Sequence, residues 1–221
     1  MTWIIACGLK READIFRKAC PDLRIVAGGG DRARLERELD AMARVARVPL
    51  LSSGLAGALD PALRPGDVVL DGDAALVERL RGVFPRAFVG KVTGGDAIVA
   101  TATEKGSLRV RTGAVAADME SHVAREVAQR HGLPFAAIRV ISDAANETLP
   151  PAALVGMGAD GDMALGPVLA SLARHPGQLP ALIRTGRHAG MAFAGLGRVY
   201  DALGRTGILR LDLLKLALDV A

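Results

Sequence analysis

Residues 114–146 read AVAADMESHVAREVAQRHGLPFAAIRVISDAAN. Val123, Val127 and the Ala124/Ala128 pair recur at helical spacing. Residues 135–141 are an apolar run broken only by Arg139, the mark of a buried strand in a parallel sheet. Helix followed by such a strand points to an α/β chain. Asp118 and Glu120 form an acidic patch at the start of the helix, and Asp143 stands just past the strand. Ligands of open α/β sheets sit outside the carboxyl ends of the strands, so Asp143 falls where chemistry is usually done.

Upstream the same alternation repeats. Residues 3–7 are a short apolar run closed by Gly8, and KREADIFRKA then places Ala13, Ile15, Phe16 and Ala19 on one helical face. Glu12 falls in the first turn of that helix, where a carboxylate ordinarily complements the helix dipole. Residues 23–27 form the next strand. Gly28-Gly29-Gly30-Asp31 leads into a helix carrying Leu35, Leu39, Met42 and Val45, with Asp31 as its N-cap. Such a turn can hold an anion on its backbone N–H groups, but the dinucleotide fingerprint is incomplete at Ala33. A strand over 48–52 precedes the small-residue segment Ser53-Gly54-Leu55-Ala56-Gly57-Ala58, which lets backbone approach a ligand or another loop. Pro65-Gly66-Asp67 turns into a strand over 68–70. A helix over 74–82, a strand over 87–93, the turn Gly94-Gly95-Asp96 and a helical segment over 103–108 follow. This order predicts a mixed, largely parallel central sheet with helices on both faces.

Beyond Asn146 the texture changes to a proline- and glycine-punctuated loop and then to helices without strong strand candidates. From Arg174 onward seven Arg/Lys face three Asp, which leaves the first 173 residues neutral and gives a helical, basic C-terminal part from about residue 165. Leucine-rich stripes at 179–183 and 209–218, interrupted by arginines, have the pattern of a helix lying on a membrane surface or packed on its own domain or on a second subunit. Aromatic residues are only 3% of the chain, too few for base stacking, so nucleic acid is not an expected partner. With 221 residues, half of them apolar, the chain is expected to form a single domain over residues 1–221. No apolar run reaches the ~20 residues of a spanning helix, so a cytoplasmic protein, peripheral to the membrane at most, is expected. Cys7 and Cys20 have no zinc or redox spacing and read as core thiols. The four histidines have no metal-ligand spacing, and no metal is expected.

Five segments, GLKREA (8–13), SSGLAGALDPALRPGDVVL (52–70), TGGDAIV (93–99), ADMES (117–121) and ISDAAN (141–146), follow one another in an order and spacing. In this the chain resembles the nucleoside phosphorylase and methylthioadenosine/adenosylhomocysteine nucleosidase superfamily, up to about Asn146. Residues 147–184 look more narrowly like the hopanoid-associated phosphorylase branch, linked to removal of adenine from adenosylhopane. The resemblance implies a three-layer phosphorylase-like fold and cleavage of the N-glycosidic bond of a 5′-modified adenosine. It implies no cofactor, with phosphate open as a co-substrate, and a homo-oligomer acting on a small-molecule or lipid-linked nucleoside. Such cleavage needs an acid for the departing base and a nucleophile on the opposite face of the sugar.

By family match Asp143 is the acid, with partial burial raising its pKa, and Glu12 orients the attacking water. Glu120 takes the ribose 2′- and 3′-hydroxyls, and Met119 lines the sugar. Ile98 and Val99 contact the purine, with backbone near Val99 reading the base edge, and Gly54 and Leu55 belong to the glycine-rich substrate loop. Three departures stand out. Ser52 occupies the place of a phosphate-binding arginine, Leu55 that of a hydroxyl residue, and Ile98 that of a stacking phenylalanine. Glu12 without an arginine at 52 favours water, although Lys10, Arg11 and the turn 28–31 are further candidate anion contacts. The interval 70–90 is too short for the family's lid over a small 5′ group, which suits a long, lipid-like one. A soluble nucleosidase for methylthioadenosine-like substrates is the alternative. A non-catalytic nucleotide- or lipid-binding protein on the same scaffold is the third reading, suggested by Leu55 and Ile98.

Overall fold

The computed structural model describes residues 3–156 and 165–210. Its first half alternates strand and helix: β1 (Ile4–Cys7), α1 (Lys10–Ala19), β2 (Arg24–Ala27), α2 (Arg32–Val45) and β3 (Leu50–Ala58). There follow β4 (Val68–Gly72), α3 (Ala74–Val83), β5 (Phe88–Val89), β6 (Val92–Gly94), α4 (Ala102–Thr112), β7 (Ala116–Asp118), α5 (Ser121–His131) and β8 (Phe135–Asp143). The rest is helical: α6 (Pro151–Gly156), α7 (Leu165–Arg174) and α8 (Leu179–Thr206). Eight described strands form one sheet in the order β2-β1-β3-β8-β4-β5, with β7 joining the end of β3 and β6 joining β7. Pairing is parallel except for β4 with β8 and β7 with β3. The fold is the expected mixed, largely parallel sheet between helical layers.

Strand periodicity assigns the two faces. Ile4, Ala6 and Leu50 turn to α2 and α5, where Leu35, Leu39, Val123 and Val127 cover them. Ile5, Cys7 and Leu51 turn to the opposite layer of α1, α3 and α8, built from Phe16, Leu76, Leu80, Leu196, Val199 and Tyr200. β8 sits between β3 and β4 and is buried at eight of its nine positions. A strand covered on both faces has no polar side, which is why 135–141 lacks alternation.

Two expectations change. The small-residue segment 53–58 is not a loop but the second half of β3, which pairs with β8 through Gly57. Glycine and alanine weaken a strand on propensity, yet here they let charged groups lie against it. Residues 87–93 split into β5 and β6, because the chain leaves β4 at Gly90, whose backbone passes so close to Val115 that a Cβ would lie 2.8 Å from its side chain. β7, three residues long, carried no sequence signal. The interval between β4 and β5 is filled by α3, whose Leu76, Val77 and Leu80 are committed to the core. The stripe over 211–218 lies outside the described residues.

Candidate active site

The site is built on the glycines of β3. A Cβ on Gly54 would stand 2.7 Å from both Arg139 Nη1 and Glu12 Oε2, and a Cβ on Gly57 would stand 3.1 Å from Asp143 Oδ2. Both charged clusters therefore need bare backbone beneath them. Three residues of strand separate the glycines, roughly 10 Å. A register irregularity at Ala56/Gly57 sets Gly57 opposite Asp143, skipping Ser142.

Glu12 reaches that surface from the first turn of α1. Its Oε2 accepts hydrogen bonds from the N–H groups of Gly8 and Leu9, each at 3.0 Å, and its Oε1 accepts from Leu55 N–H at 2.9 Å. Glu12 thus caps α1, as the ordinary reading has it, and also crosses to β3. The side chain is 3% exposed. Leu55 acts here through its backbone while its side chain packs into the core, so the missing hydroxyl costs this contact nothing. Gly54 beside it is buried against Arg139 and Glu12.

Arg139, the one charged residue in the β8 run, is fully buried opposite Gly54. Its guanidinium is ion-paired with Asp118, donates to Ser52 Oγ at 2.6 Å, and holds Nη1 3.9 Å from Glu120 Oε2. Ser52 is therefore not an empty phosphate position but a partner of the arginine. Asp118, the last residue of β7, also accepts from Ser121 Oγ at 2.6 Å, which ties the arginine to the start of α5. Nε and Nη1 of Arg139 make no hydrogen bond within the described residues. Glu120 comes from the N-cap of α5, and its approach depends on Gly8: a Cβ there would stand 2.4 Å from Glu120 Oε1. The structure therefore joins Glu12, Gly54, Leu55, Glu120 and Arg139 around one spot. Met119 and Glu120 also line a cleft of about 80 Å³ together with Gly28, Gly30, Asp31, Arg32, Leu35 and Asp96.

Burial dominates the electrostatics. It pushes Glu120 up to about 8 against the pull of Arg139, with repulsion from Asp118 and Glu12 adding to the rise. It also raises Glu12, opposed by the three backbone N–H groups and Arg139, and raises the Cys7 thiol, so Cys7 is inert. The sign for stability follows. A carboxyl whose folded value exceeds its unfolded one holds its proton more tightly when folded, so its contribution is full below about 4.5 and is lost as pH rises through about 8. We expect the melting temperature to fall between pH 5 and 8.5, and Glu120→Gln to flatten that slope. A slope unchanged in Glu120→Gln, read by calorimetry, would contradict the assignment.

Asp143 closes β8. Its Oδ1 accepts from Ser142 Oγ at 2.6 Å, and its Oδ2 is ion-paired with Lys105 of α4. Lys105 is 1% exposed. The sequence reading foresaw a partly buried carboxyl but neither Lys105 nor the part of Arg139. Arg139 was legible only as the interruption of an apolar run, and Lys105 not at all.

Ile98 and Val99 stand apart from the other candidates. They line an open cleft of about 300 Å³ against α4, with Ala97, Thr103, Glu104, Ser107, Leu108 and Arg111. Val99 packs against Leu59, Ala114 and Ala117. Of the other anion candidates, Arg11 lies over the Phe193 ring at 4.1 Å, and Asp31 caps α2 by accepting from Arg34 N–H at 2.9 Å. His131 pairs with Asp40 at 2.8 Å, His188 with Glu147 at 3.1 Å, and His122 lies 3.3 Å from Asp96. Among the described residues no group of three His, Cys, Asp or Glu is placed to hold a metal ion.

The segment carrying β4 to the end of β8, with Arg139 and Asp143 in it, decides the comparison. Residues 70–160 match the model of the phosphorylase superfamily. No curated protein matches the chain. Among solved structures, the 5′-methylthioadenosine/S-adenosylhomocysteine nucleosidase of Neisseria meningitidis, in complex with methylthio-immucillin-A, aligns with a TM-score of 0.64. It is 17% identical, over 93% of this chain and 100% of that one. The Streptococcus pneumoniae nucleosidase with a transition-state inhibitor gives 0.61 at 16% identity, over 92% and 100%. Futalosine hydrolase of Helicobacter pylori gives 0.60 at 14% identity, over 94% and 96%. These likenesses show the fold: a phosphorylase-type α/β sheet shared along nearly the whole chain.

Proposed function

We propose that the protein is an enzyme that hydrolyses the N-glycosidic bond of a 5′-modified adenosine. The observation that supports this best is the meeting of Glu12, Arg139 and Glu120 over Gly54, with Asp143 three strand residues away on Gly57. That is the two-sided arrangement glycoside cleavage demands. Glu120 takes the ribose hydroxyls. Asp143 gives its proton to the departing purine while the C1′–N9 electron pair leaves with the base. Glu12, with the unbonded N–H groups of Arg139 beside it, orients a water that adds to C1′ from the other face and gives its proton to the Glu12 carboxylate.

Water rather than phosphate suits the charge. Glu12, Asp118 and Glu120 surround a single guanidinium, which is already ion-paired with Asp118. A phosphate dianion entering there would find that cation committed and would be buried against acidic groups. The test is to incubate 5′-modified adenosines with and without phosphate and to identify the sugar by mass. The free 5-modified ribose in both buffers is expected, and its 1-phosphate would overturn the choice of nucleophile.

Within that class we read the substrate as lipid-linked, with adenosylhopane the first to try. α3 is tied into the core, and in the C-terminal helices Val155, Leu169, Leu179, Ile183 and Met191 are exposed hydrophobics with Arg184 and Arg187 exposed among them. A mixed apolar and basic surface of this kind suits an anionic bilayer that presents the substrate. No described helix is long and apolar enough to cross a membrane. A soluble nucleosidase is the second reading, favoured by the nucleosidase folds above. Faster turnover of methylthioadenosine than of adenosylhopane in vesicles would select it.

A further inference from the structure

α4 buries one side chain, and it is a lysine. An ammonium taken out of water costs several kcal/mol unless it is paired and hydrogen-bonded, and an apolar residue would anchor the helix more cheaply. Lys105 is fully paired: beyond Asp143, its Nζ donates to the carbonyls of Ala144 at 2.9 Å and Glu147 at 3.0 Å. The start of α4 is set by Thr101, whose Oγ1 accepts from Glu104 N–H at 3.1 Å while Glu104 accepts from Thr101 N–H at 2.9 Å. The loop after Asp143 is then pinned to that start, with Leu149 N–H on Ala100 O at 2.8 Å and Ala102 N–H on Thr148 Oγ1 at 3.2 Å.

The charges around the pair are few. From β3 the backbone of Gly57 faces Asp143, and from β8 Ser142 donates to it. In the loop, the Glu147 carboxylate is turned away, taken by Ala144 N–H at 3.0 Å and, from α8, by Arg184 at 3.1 Å and His188 at 3.1 Å. Glu104 of α4 is engaged by Thr101. Lys105 is thus the cation in contact with Asp143.

We propose that Lys105 is a positioning residue for the acid: its ammonium fixes the Asp143 carboxyl and neutralises the charge that develops on it as its proton passes to the base. This rests on the N-glycosidase reading above. When the C1′–N9 bond breaks, the base takes both the bonding electrons and the Asp143 proton, and the carboxylate left behind is already paired. Without the ammonium, the Asp143 carboxylate that forms as the proton leaves would be buried without its ion-pair partner.

The test compares wild type with Lys105→Met on two substrates, 5′-methylthioadenosine, whose base needs a proton, and 4-nitrophenyl β-D-ribofuranoside, whose leaving group departs without one. For the adenosine, kcat is expected to drop at least roughly tenfold with KM within about threefold of wild type. The nitrophenyl riboside is expected to turn over within about threefold of wild type, given that only acid assistance is lost. If Lys105→Met does not fold, Lys105→Gln, which drops the charge and keeps donors, is read the same way. Equal loss on both substrates, or a loss that falls on KM and not on kcat, overturns the role of Lys105. A wild-type protein inactive on both of these substrates and on adenosylhopane in vesicles overturns the N-glycosidase reading itself.

Discussion

Asp143→Asn is expected to reduce adenine release by about 10²–10⁴-fold, the range over which a positioned general acid acts. The reason is local. Asparagine keeps the shape of the side chain and its contact with Ser142 Oγ, but it has no proton to give to a leaving purine. KM is expected to change little, because the ribose is held by Glu120 and the base departs only in the transition state. The substitution also has a cost that the sequence did not suggest. It removes the counter-ion of a buried lysine, and breaking a buried pair on one side costs about 3–5 kcal/mol. The Ala144 and Glu147 carbonyls that remain on Lys105 soften that loss. Activity must therefore be measured below the melting temperature of the variant, with circular dichroism alongside. Turnover within tenfold of wild type by a folded Asp143→Asn would remove Asp143 as the acid.

The parts of the fold that sequence made visible are those governed by periodicity. The 3.6-residue stripe of α5 and the unbroken apolar run of β8 each have a single economical solution, a helix on one face of a sheet and a strand inside it. The strand half of 53–58 was hidden because glycine and alanine there serve the approach of Glu12, Arg139 and Asp143, and a requirement of packing overrode strand propensity. β7 was hidden because three residues cannot establish a period. In the site, Glu12, Glu120 and Asp143 were legible as carboxyls at the ends of elements, where the topology gathers them. Their partners were not. Arg139 lies 19 residues from Glu120 and 127 from Glu12 along the chain, and Lys105 sits inside a helix whose other residues face solvent or only partly bury. No local pattern announces an ion pair closed across the sheet. Ile98 and Val99, read as purine contacts, line the cleft against α4.

Arg139→Met is expected to have the largest effect on stability. The guanidinium stands among Asp118, Glu120 and Glu12, all buried or nearly so, and its charge opposes the rise that burial causes in the pKa of the two glutamates. Without it, Asp118 loses its ion-pair partner and retains only Ser121. Removing one side of such a buried cluster costs about 3–5 kcal/mol, which for a chain of this size lowers the melting temperature by roughly 6–20 °C. The pH dependence distinguishes this cause from simple loss of packing. Uncompensated carboxyls take up protons as pH falls, and neutral carboxyls no longer need a cation. The gap between Arg139→Met and wild type is therefore expected to narrow from pH 8 to pH 5, whereas a packing defect would keep it constant. Adding Asp118→Asn to Arg139→Met is expected to recover part of the stability, since it removes one of the stranded charges, but no activity, since the arginine's N–H groups beside Glu12 are still missing. A melting temperature within about 2 °C of wild type for Arg139→Met would mean that the three carboxyls are not held by this one cation, and the case for a water site between Glu12 and Arg139 would fail with it.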